Sequence, residues 1–215
     1  MSKQSIILSS AGLKNVIIDK EEEFVFKIGK KELKMSQFFA EFISPRVSHI
    51  HQCDPTINFI NLSEFFNNTK NTSKFNKILE ELGSATFFTQ ILNLSQGKNI
   101  EIENNQIIKL MLYFSILVNN EELFSKINEI QMTNNKNENN IKELLEEIEI
   151  LYELNPTFNG IRCSKLINEI SSKINENNKN ILKEVPKQIL YLILNNEHFK
   201  FEDINSIFDL INEIF

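Results

Sequence analysis

The hydrophobic pattern changes period along the chain. Phe24, Phe26 and Ile28 alternate with Val25 and Lys27, Gly29-Lys30 supplies a turn, and Leu33 and Met35 resume the alternation. Two period-two runs around a turn predict a β-hairpin. Its exposed face is expected to carry Lys27, Lys31 and Lys34. Ser36 fits a helix N-cap, and Phe38, Phe39, Phe42 and Ile43 follow at helical spacing. Ser44-Pro45 breaks that helix, because a residue before proline is pushed out of the α region. Pro45 suits the first position of a second short helix, with Val47, Ile50 and His51 on its inner face and Asp54-Pro55 as its stop. Residues 56–62 (TINFINL) predict a strand, and residues 63–74 a loop.

From residue 75 onward the spacing is mostly helical. Phe75, Ile78, Leu79 and Leu82 predict a helix ended by Gly83, and Thr86–Leu94 another. Ile100 and Ile102 flank Glu101 in a short strand after the Gly97-Lys98 turn. Ile107 to Ile116 and Leu123 to Ile127 give two further helix faces. Residues 131–140 (QMTNNKNENN) hold one apolar residue, Met132, and have the composition of a linker. Beyond them the chain is expected to be all helical. The apolar faces start at Ile141, Ile161, Val185-Pro186 and Ile204, the last with Asp203 as its expected cap, and Glu143, Glu146, Glu147 and Glu149 form a solvated face on the first of these helices.

Composition narrows the function more than it defines it. The 215 residues include 30 Asn and 32 Ile but only 3 Ala, a bias that follows AT-rich codons. Lys and Arg total 23 against 29 Asp and Glu, for a net charge of −6. An acidic chain argues against nucleic acid as a partner, since its basic hairpin face offers four lysines at most (Lys27, Lys30, Lys31, Lys34) with no interleaved aromatic. The longest apolar run, Leu110 to Val118, is too short to span a bilayer. Lys3 with Ile6, Ile7 and Leu8 makes a poor signal peptide. A soluble cytoplasmic protein is expected, with the nucleus as the alternative and no membrane partner. Cys53 and Cys163 have no framework spacing and are expected to be reduced thiols.

Candidate chemistry is sparse. His49, His51, Cys53 and Asp54 form the only dense ligand-like cluster. On a helix, positions i and i+2 diverge by about 200°, so one packed and one exposed histidine are expected rather than a metal site. Cys163 and His198 could form a nucleophile pair only by geometry, since neither sits in a nucleophile loop. Nucleotide and zinc-protease motifs are absent. No catalytic residue, metal or cofactor is expected.

The order of elements, with FVFKIGKKELKMS, AEFISPRVSHIHQCDPTINFINL and the Phe75–Leu82 helix, resembles a divergent BTB/POZ domain. VPKQILYLILNNEHFKFEDINSIFDLIN resembles the BACK-like helical region that often follows it. The resemblance implies an α+β fold: a small BTB/POZ-like mixed sheet with surrounding helices, then an all-α BACK-like segment. It divides the chain into an N-terminal extension (1–21), a BTB/POZ-like domain (22–130), an Asn-rich linker (131–140) and a BACK-like region (141–215), the last expected to be truncated. It implies a non-enzymatic scaffold or adaptor for protein partners that self-associates as a homodimer. The alternative is a substrate-recruiting subunit bound to a cullin-type ubiquitin ligase. Ile6, Ile7, Leu13, Val16 and Ile17 lie where family members often build a dimer contact. The better-studied relatives carry a His and a buried Asp where this chain has Leu33-Lys34-Met35-Ser36-Gln37, so dimerisation and cullin binding do not transfer automatically.

Overall fold

The computed structural model describes residues 4–8, 22–66, 69–81, 83–102, 104–134, 140–154, 161–175, 177–200 and 204–214. The fold is mixed α+β, and the chain divides into two compact units between Asn134 and Asn135.

In the first unit, β1 (Gln4–Ile6) comes first and the hairpin of β2 (Glu23–Ile28) and β3 (Lys31–Ser36) follows. α1 (Gln37–Ile43) and α2 (Pro45–Cys53) form a helical corner, and β4 (Phe59–Asn61) returns to the hairpin. α3 (Thr69–Glu81), α4 (Ser84–Ser95), β5 (Ile100–Ile102), α5 (Asn105–Leu117) and α6 (Glu121–Asn134) complete the unit. The three-stranded sheet has the order β3-β2-β4, antiparallel between β2 and β3 and parallel between β2 and β4. A second sheet pairs β1 with β5, Gln4 opposite Ile102.

The alternation of β2 places Phe24, Phe26 and Ile28 on the inner face, all buried. Opposite them lie Met35, Leu33 and Lys31. Lys31 therefore shares the parity of the inner residues, at the hairpin tip, and not that of Lys27 and Lys34 as the sequence suggested. α5 is buried almost all round, from Ile107 through Leu117 apart from half-buried Lys109. A helix apolar on every side belongs in the middle of a core. Phe114 on α5 meets Phe26 and Phe87 edge-on, with ring centroids 6.0 and 5.9 Å away.

Two helix corners interlock. The Ser44 hydroxyl accepts from Val47 N–H, capping α2, and donates to Val118 C=O. Asn120 Nδ2 donates to Ile43 C=O at 2.9 Å while its Oδ1 accepts from Leu123 N–H at 2.8 Å. One buried amide thus satisfies the end of α1 and the start of α6. Asn120→Ala would leave both groups unpaired in the core. We expect it to cost about 1–3 kcal/mol in urea unfolding, whereas a change at exposed Asn119 that keeps its positive φ, Asn119→Gly, stays within about 0.5 kcal/mol.

Several sequence expectations are corrected here. Ser36 makes no capping bond, because it closes the ladder opposite Glu23. The loop expected over 63–74 is shorter: Leu62–Phe65 forms a 3-10 turn and α3 starts at Thr69, where the buried Phe75 and Leu79 draw a polar first turn into the helix. α6 runs on to Asn134, into the stretch expected to be linker. Residues 4–6, assigned to an extension, form β1 and pair with β5.

The second unit comprises α7 (Ile141–Leu154), α8 (Ile161–Lys173), a 3-10 turn (Lys179–Glu184), α9 (Lys187–Leu194) and α10 (Ile204–Ile214). Leu144, Ile148 and Leu151 of α7, Leu166 and Ile170 of α8, and Ile189, Leu190 and Ile193 of α9 supply its core. Ser171 Oγ donates to Ile193 C=O, tying α8 to α9. Lys183 and Glu213 form an ion pair between the 3-10 turn and α10. Glu147 is buried, not on the solvated face expected for it, because it lies three positions after Leu144 and four before Leu151. Asp203, the expected cap of the last helix, lies outside the described residues.

Candidate protein interface

The outer face of the three-stranded sheet is built by the same alternation that buries the phenylalanines. Val25 and Lys27 of β2 point outward, with Lys34 and Glu32 opposite them on β3 and Phe59 and Asn61 opposite them on β4. The lysines on this face are engaged. Lys34 Nζ lies 3.2 Å from Glu23 Oε1, and Lys27 Nζ sits 4.3 Å from the centroid of the Phe59 ring. Three carboxylates, from Glu22, Glu23 and Glu32, share the surface with them, so the basic hairpin face suggested by the sequence is a mixed-charge one. The Phe59 side chain is 49% exposed. Between this face and residues 55–58 lies a cleft of about 530 Å³.

The cleft's far wall is held by His51. Its Nε2–H donates to Ile57 C=O at 2.7 Å, and its Nδ1 shares a 2.6 Å hydrogen bond with Glu41 Oε1. Gln37 Nε2 also donates to Glu41 Oε1, at 3.2 Å. The imidazole stands edge-on to the Phe24 ring, with centroids 5.3 Å apart. One buried side chain therefore ties α1, α2 and the approach to β4 together. Asp54 shapes the start of the same wall. Its carboxylate accepts from Thr56 Oγ1 at 2.6 Å and from Thr56 N–H at 3.0 Å, bonds that hold its carboxyl below the usual carboxylate range.

Among the residues singled out from the sequence, His51 is buried while His49 and Cys53 are exposed, as a helical i, i+2 spacing requires. Among the described residues, no group of three or more His, Cys, Asp or Glu is placed to hold a metal ion, and no helix is long and apolar enough to cross a membrane. Cys163 is half-buried on α8, and His198 is exposed in the turn after α9. Ile6 is buried in β1 opposite Ile100, whereas Ile7 is 42% exposed. Leu13, Val16 and Ile17 lie outside the described residues. Neither the cleft nor Phe59 stood out in the sequence. The available signal was the adjacent pair Phe59-Ile60, which a strand must place on opposite faces.

Scans of the chain against protein-family models, curated proteins and solved structures find no match.

Proposed function

We propose that this chain is a non-enzymatic protein-interaction scaffold or adaptor, with a BTB/POZ-like first unit and a BACK-like helical second unit. The supporting observation is the arrangement of the first unit. A hairpin takes β4 in parallel, a helical corner precedes that strand, and the buried α5 with its neighbour α6 follows β5. The titratable side chains behind the cleft's far wall fit this reading, since His51, Glu41 and Asp54 spend polar atoms on holding the backbone and neighbouring side chains. Self-association involves the surface next to β1, where Ile7 stands exposed beside the buried Ile6.

Light scattering tests this directly. The full chain is expected to show a dimer mass at high micromolar concentration, and Ile7→Asp to shift it to the monomer. Ile7 is exposed, so the substitution should leave the fold within about 0.5 kcal/mol of the parent, and circular dichroism checks that. A strict monomer throughout would remove self-association from the reading.

A further inference from the structure

We propose that the outer sheet face beside Phe59 is a docking site for an extended segment of a partner protein that carries an arginine or lysine. The inference rests on the protein-interaction reading above and gives it a partner chemistry. Three separate observations carry it.

The first is an open strand edge. Among the described residues, β4 is a border of the sheet. Val25 N–H donates to Asn58 C=O at 2.9 Å, and Val25 stands opposite Phe59. In a parallel ladder that arrangement turns the N–H and C=O of Phe59 away from β2. An extended segment can bond to groups presented this way, adding one strand to the sheet.

The second is the exposed ring. The Lys27 ammonium already rests over it, so the surroundings of Phe59 accommodate a cation at the aromatic face. A partner's guanidinium could take the free face or displace Lys27 toward Glu32, its cross-strand neighbour.

The third is charge. Glu22, Glu23 and Glu32 line the cleft, and among the described residues Lys27 is the one cation in its lining. Glu23 is bonded to Lys34, which leaves Glu22 and Glu32 for an incoming cation. An acidic peptide would meet three carboxylates against the single ammonium of Lys27.

The test measures fluorescence anisotropy of labelled eight-residue peptides on the full chain. One alternates Ser and Arg, and the other alternates Ser and Glu. The arginine peptide should bind and the glutamate peptide should not. Phe59→Ala should weaken binding about threefold to fivefold. The pair Glu22→Gln with Glu32→Gln should weaken it about fivefold. The α6 pair Glu121→Gln with Glu129→Gln, exposed and outside the cleft lining, should leave it unchanged. Methylating alternate backbone nitrogens of the arginine peptide should weaken binding if the strand edge is used. Absent binding, equal binding of both peptides, equal loss in the α6 pair, or no effect of either cleft variant or of methylation would overturn the proposal. Light scattering on the same samples separates it from the broader reading. A dimer that ignores the arginine peptide sinks only the cleft, whereas a monomer that binds it keeps the cleft and removes self-association.

Discussion

Phe114→Ala is expected to lower the stability of the first unit by about 3–5 kcal/mol. The side chain is fully buried on a helix that is itself surrounded, so no solvent can reach the space left behind. It is also where three parts of the unit meet: Phe26 from the hairpin and Phe87 from α4 both place ring edges against it. Truncation removes the apolar contacts, the edge-on geometry and the packing of both neighbours together. Hydrogen exchange of the α5 amides would measure the loss locally, which matters in a chain whose two units need not unfold together. Phe114→Leu keeps most of the volume and should recover a large part of the difference. A loss below about 1 kcal/mol would contradict this role, because large buried-to-Ala changes at closed sites fall well above it.

His51→Leu is expected to cost about 2–4 kcal/mol, although it replaces a polar side chain with an apolar one of similar size. The reason lies in what remains. Ile57 C=O loses its donor, and the Glu41 carboxylate loses the partner that faces it at 2.6 Å. Neither can follow a leucine into the core. The effect should appear both in urea unfolding and in faster exchange of the amides at 56–58. His49→Leu, two residues away on the exposed side of α2, should stay within about 0.5 kcal/mol. Equal effects at the two histidines would mean that His51 is not a fastener.

The hairpin was readable because its two faces differ sharply: phenylalanine and isoleucine inside, lysine and glutamate outside. The Ser44-Pro45 break was readable because proline forbids the helix to continue and serine can cap the next one, which it does through Val47 N–H. The start of α3 was hidden, since Thr69 to Lys74 are polar and weakly helical by themselves, and only tertiary burial of Phe75 and Leu79 commits them. β1 was hidden for another reason. Three residues, Gln4 to Ile6, hold too few alternations to reveal a strand, and their partner lies far along the chain. The cleft was the least readable part. Its walls come from residues 22–37 and 55–59, and no spacing within either segment announces that they face each other.

The β1–β5 pairing has a consequence for how the chain is made. Lys126 Nζ also reaches back to Ile7 C=O across 119 positions. Residues 4–6 thus leave the ribosome long before β5, the strand that pairs with them. Such distant closure is slow compared with the local formation of the hairpin or of α5. Throughout synthesis, the early strand is an unsealed edge, open to whatever strand arrives first.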